Sequence, residues 1–133
     1  MLLLKRILVH PATVSILFCF IIISGEATGY FYLTLLMLGL SHALLHSILG
    51  IGGLLLILFS INNKHILLSS VLRLLGAACL LLSLIRFFTQ PGARYNYPTF
   101  QQFVPLVTLI LFLLSLSLFI INQLQLLGSK GNQ

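Results

Sequence analysis

Between Glu26 and Lys64 the chain carries no charged residue, and from Tyr30 to Ser60 it reads YFYLTLLMLGLSHALLHSILGIGGLLLILFS. The hydrocarbon of a bilayer is about 30 Å thick and is crossed by ~20 apolar helical residues. A run this long and this apolar fits lipid better than the interior of a small soluble domain. Composition agrees, with 59% hydrophobic and only 6% charged residues over 133 positions, against roughly 25% charged in soluble domains. The expected fold is all-α: a polytopic integral membrane protein with four transmembrane helices in an antiparallel up-down bundle, forming one domain over 1–133.

The punctuation of the chain sets the expected spans at 7–24, 30–60, 66–88 and 104–127, with a short polar tail at 128–133. Pro11 sits near the start of the first, where a missing N–H is tolerated. The links are Gly25–Gly29, Asn62–His65 and the turn-rich, aromatic TQPGARYNYPTFQQF. The second helix is unusually long. A straight helix over 30–60 would measure ~46 Å, more than tilts up to ~40° absorb. It must project beyond the hydrocarbon or bend, and Gly50-Ile51-Gly52-Gly53 is the expected bend. For the last helix, Thr99 and Gln102 are spaced as a capping box, while Pro105 alternatively marks its first turn.

Seven basic residues against one acid give a formal charge of +6. They are scattered near expected helix ends, where Lys and Arg meet headgroups, so the expected partner is membrane lipid and no nucleic acid. Lys5, Arg6, Lys64 and Lys130 fall on one side, and Arg86 and Arg94 fall with Glu26 on the other. The positive-inside rule then puts both termini in the cytoplasm, and a bacterial cytoplasmic membrane is the expected location. Cys19 and Cys79 lie in apolar runs, where thiols act as small hydrophobes.

Along the second span, Tyr32, Gly39, Ala43, His46, Gly50 and Gly53 share a stripe, with His42 at its margin. Small residues let a second backbone approach and histidine can hydrogen-bond across the contact, so helix packing is the first expectation. His42 and His46 at i, i+4 are also spaced to share a metal. Cys19 and Cys79 fall at a similar depth, which makes the four weak candidates for a metal site. No cofactor is expected, with haem or metal as the alternative. Arg73 lies inside the third span, on a stripe with Ser69, Gly76, Leu80 and Ser83, where an intramembrane charge packs inward or snorkels. Glu26, Arg86, Arg94, Tyr95 and Tyr97 would gather on the outer face as interfacial anchors or as a site for an anionic group. Thr108, Ser115 and Asn122 make a polar line along the last helix.

Catalysis has no visible cast. The chain contains no aspartate, and its one glutamate lies in a turn. The expected function is a small non-catalytic accessory or scaffolding subunit, packing against a larger membrane complex or against itself. The alternatives are a haem- or metal-bearing anchor in electron transfer, and a small homo-oligomeric transporter or channel.

Overall fold

The computed structural model describes residues 2–25, 29–42 and 44–130, and for residues 2–4 and Lys130 only the backbone. Expectations resting on Glu26, Ala43 and the side chain of Lys130 lie outside these residues. The chain is mostly helical, at 81%. Its helices are α1 Leu2–Leu8, α2 Pro11–Cys19, α3 Tyr32–Leu40, α4 Leu45–Ile61, α5 Ile66–Thr89 and α6 Phe103–Lys130. Two strands of two residues, β1 Ile22–Ile23 and β2 Tyr30–Phe31, pair antiparallel, and a 3-10 helix spans Ala93–Phe100. Two helices, α5 and α6, are long and apolar enough to cross a membrane, or three spans if the bent pair α3–α4 is one.

The expected first span, 7–24, is not one helix. His10 accepts the Ala12 N–H at Nδ1 (3.2 Å) and caps α2, with Pro11 in the first turn. The helix then stops at Cys19. Phe20-Ile21-Ile22-Ile23 is aromatic and β-branched, and such residues favour extended chain; it runs into β1.

Breaking a span leaves backbone groups without helical partners, which is tolerated inside a membrane only where neighbouring protein supplies them. Here α6 and its approach supply them. The Ile22 N–H donates to Thr108 Oγ1 (3.1 Å) and the Ser115 hydroxyl donates to the Leu8 carbonyl (2.7 Å). Ser24 N–H donates to Thr99 Oγ1 (2.9 Å), whose hydroxyl donates back to the Ser24 carbonyl (3.2 Å), while Ser24 Oγ donates to Gln102 Oε1 (2.6 Å). Thr99 and Gln102 therefore clasp Ser24 rather than form a capping box, and Pro105 stands in the first turn of α6. Thr99→Val removes both bonds to a buried backbone at once. An unsatisfied buried group costs about 1–3 kcal/mol, so the Ser24 amide should exchange with deuterium roughly tenfold to a hundredfold faster, and Thr99→Ser should restore protection.

The second expected span is also broken, and not at its glycines. The helix runs through Gly50, Gly52 and Gly53 without interruption, and the bend of 114° falls between Leu40 and Leu45. The Gly39 carbonyl accepts from both His42 N–H (3.2 Å) and Leu44 N–H (3.1 Å), which ends α3, and extended Leu44 starts α4. A straight 31-residue helix is thus replaced by a short helix folded against a 17-residue one.

Helices α4 and α5 form the main hairpin. Their closest approach is Gly53 against Gly76, where a β-carbon on either would stand 2.9 Å from the other's carbonyl oxygen. At the far end of α5, Gln90-Pro91-Gly92-Ala93 makes a type II turn. Pro91 is at i+1, Gly92 has φ +87° at i+2, and Ala93 N–H donates to the Gln90 carbonyl (3.0 Å), as that turn requires. The 3-10 helix then returns the chain to α6.

An aromatic chain ties the elements together. Phe18 of α2 lies edge-on to Tyr32 of α3 (5.3 Å) and beside Phe112 of α6 (5.3 Å); Tyr32 meets Phe87 of α5 (5.1 Å). Phe87 meets His46 of α4 (5.3 Å), at centroid spacings typical of favourable ring pairs.

Candidate functional site at the α3–α4 corner

The 114° corner leaves a cleft of about 390 Å³ on the side where α5 ends. Leu35, Leu38, Leu44 and Phe87 form its apolar walls, and His42, His46 and Gln90 its polar end. Because α3 stops at Leu40, the two histidines do not share one helix at i, i+4. His42 lies in the turn and is exposed, whereas His46 is in the first turn of α4 and only 4% exposed. Both nevertheless face the same cleft.

Each neighbour of His46 has a defined cause. Phe87 and Gln90 are one turn apart near the end of α5, and the Pro91–Gly92 turn holds the Gln90 backbone in place. The His46 carbonyl accepts the Ser83 hydroxyl (2.7 Å), and Ser83 Oγ also lies 2.9 Å from the Tyr32 hydroxyl. Ser83 has one hydrogen and gives it to His46, so Tyr32 is the donor in the second bond. Gly39 is needed for closeness: a β-carbon there would run into Ser47 Oγ and stand 3.3 Å from His46 Nε2. Gly50 lies under Leu36 and Ser83 in the same way: a β-carbon on it would stand 2.8 Å from an atom of each side chain.

The four metal candidates do not converge. Among the described residues, no three His, Cys, Asp or Glu side chains are grouped to hold a metal ion. The α3–α4 break moves the histidines to the outer end of the fold, whereas Cys79 lies about 16 Å back along α5 from Gln90, with its β-carbon against Gly53. Cys19 packs, half-buried, at the edge of the core.

Arg73 sits at the opposite end of the hairpin and is half-buried. Its Nε donates to Ser60 Oγ (3.2 Å), Ser60 donates to the Ile57 carbonyl, and Ser69 donates to the Ser60 carbonyl (2.9 Å). The guanidinium thus fastens the end of α4 to α5. On the other side Arg86 is exposed on the last turns of α5, and Arg94, Tyr95 and Tyr97 are exposed on the 3-10 helix. Gly25 approaches this helix at the Tyr95 carbonyl. In the polar line of α6, Thr108 and Ser115 hold the broken first segment, while Asn122 is half-buried.

Sequence reasoning passed over Phe87, Gln90, Ser47 and Ser60. A usable signal existed for Gln90: it directly precedes Pro-Gly, so its depth is that of a helix end. Nothing in spacing announces Ser47, whose hydroxyl is fully buried and has no hydrogen-bond partner among the described residues. Comparison with protein-family models, with curated proteins and with solved structures gives no match to this chain.

Proposed function

We propose that this chain is a non-catalytic accessory or scaffolding subunit of a membrane complex. One observation carries this reading: seven interior hydroxyls and the arginine within α5 are committed to the chain's own backbone and to one another, while among the described residues the buried hydroxyls of Ser15 and Ser47 find no partner. Ser24, Ser60, Ser69, Ser83, Thr99, Thr108 and Ser115 each bond a neighbouring element or their own helix. Groups used in this way hold helices together, as polar residues do in lipid, and are not free to turn over a substrate.

In this reading the chain crosses the bilayer four times, with both termini in the cytoplasm. The first crossing is α2 continued by the extended chain to Ser24. Nine helical residues reach ~13 Å, and the four residues Ile21 to Ser24 beyond the Phe20 cap add ~13 Å when extended, together a little short of one hydrocarbon thickness. The bent pair α3–α4, then α5 and α6, complete the set. Lys5, Arg6 and Lys64, all exposed, support the inward assignment of that side.

Purification from native membranes in a mild detergent, with cross-linking before extraction, tests the role. A larger membrane protein, or a second copy, should co-purify at fixed stoichiometry. A chain that emerges alone and monomeric after cross-linking would overturn it. An absorption spectrum of the same sample separates the haem-anchor alternative, because a Soret band would replace the scaffold by a cofactor carrier.

A further inference from the structure

We infer that the cleft at the α3–α4 corner is a binding site for a free fatty acid, with the carboxylate at the histidine end and the acyl chain along the leucine wall. The site does not depend on the accessory role proposed above, only on residence in lipid.

Three features of the cleft define this ligand. Its surface is divided: Leu35, Leu38, Leu44 and Phe87 on one side, His42, His46 and Gln90 on the other. A divided surface suits an amphiphile, and the rim residues Leu38 and Leu44 are themselves exposed, so a chain longer than the cleft continues over them into the bilayer. Next, the polar end offers donors. Each imidazole carries at least one ring N–H and Gln90 an NH₂. The first turn of α4, whose cap residue Leu44 makes no side-chain bond, begins at the same end of the cleft. The positive end of the helix dipole lies there too, which favours an anion.

Finally, among the described residues the lining contains no acidic side chain and no Lys or Arg. A phosphate monoester or diphosphate would be poorly matched without a basic side chain, whereas one carboxylate needs only a few aligned N–H groups. His46 is nearly buried, its Nε2 lies against the cleft-lining Gly39, and Gln90 stands beside the ring as a side-chain hydrogen-bond partner that holds it at the cleft.

The full-length chain in zwitterionic lipid nanodiscs should be labelled with a diazirine derivative of palmitic acid, and the sites read by mass spectrometry. Saturable labelling is expected within 35–46 and 87–90, competed by palmitic acid and not by its methyl ester. Gln90→Ala and His42→Ala each remove one donor outside the packed core and should lower labelling there roughly threefold to tenfold. His46→Ala should lower it at least as much, provided its melting curve matches the parent. Labelling spread evenly over lipid-facing positions such as Phe59 and Phe103 would overturn the site. Equal competition by the methyl ester would overturn carboxylate recognition, as would parent-level labelling in the folded Gln90→Ala and His42→Ala variants.

Discussion

Replacing Gly76 by leucine is expected to prevent the α4–α5 hairpin from closing, with no native-like melting transition recovered in detergent. Even one added carbon is too much. A β-carbon at 76 would stand 2.6 Å from Ile57 Cγ1, 2.9 Å from the Gly53 carbonyl oxygen and 3.2 Å from the Ile57 nitrogen. Two of the three are backbone atoms, and Ile57 is β-branched with little rotamer freedom in a helix. Overpacking of this kind costs about 1–3 kcal/mol. The helix-propensity gain from glycine to alanine, ~1 kcal/mol, offsets part of it, so Gly76→Ala should lose up to ~2 kcal/mol. Gly53→Ala meets the same contact from the other side and should lose a similar amount. Since the pair shares one crossing, the double alanine variant should cost less than the sum of the two. Gly52→Ala is the control: nothing lies within 4 Å of its β-carbon, and it should be neutral or slightly stabilising. Unfolding midpoints of the four variants in one detergent decide the matter. Equal behaviour of Gly52→Ala and Gly76→Ala would remove the close crossing from the account.

The second large effect is expected at Ser83. Its hydroxyl is fully buried, gives its hydrogen to the His46 carbonyl and receives that of Tyr32. Ser83→Ala therefore strands the Tyr32 hydroxyl in a fully buried position, at about 1–3 kcal/mol. Tyr32→Phe instead removes the donor and leaves Ser83 still bonded to His46, at about 0.5–1.5 kcal/mol. The double variant has no stranded donor, so it should be no less stable than Ser83→Ala alone. Interhelical hydrogen bonds in membranes average only ~0.6 kcal/mol, which sets the low end of the range for Tyr32→Phe. A double-mutant cycle on melting curves gives the coupling. Strict additivity would mean that the two hydroxyls are not partners.

The two long helices were legible in the sequence because each is a long, predominantly apolar run between strong stops, α5 with only Arg73 well inside it. Asn62–Lys64 precedes α5, Gln90-Pro91-Gly92 follows it, and Pro105 opens α6. The first two spans were not, for a physical reason. Hydropathy reports whether residues suit lipid, and a helix, a bent pair and a helix running into extended chain all suit it equally. The breaks were set by local chemistry that hydropathy ignores: the isoleucine run after Phe20, and the backbone hydrogen bonds that gather on the Gly39 carbonyl. Gly50 and Gly53 carried a true packing signal, and their service is close approach to α3 and α5 rather than a bend, while Gly52 has open space at its β-carbon. At the corner, both histidines were singled out on a spacing argument that the break of α3 removes. Their shared cleft depends on Phe87 and Gln90, which arrive from another helix, so no single-helix pattern could have gathered them.

The clasp between the ends of the chain has a consequence for how the molecule is made. The groups that satisfy Leu8, Ile22 and Ser24 belong to Thr99, Gln102, Thr108 and Ser115, which leave the ribosome 75 to 107 residues later. What is synthesised first is seated last. Until the C-terminal helix enters the bilayer, the nascent N-terminal segment must wait with open carbonyls and amides, at the interface or in the care of the insertion machinery.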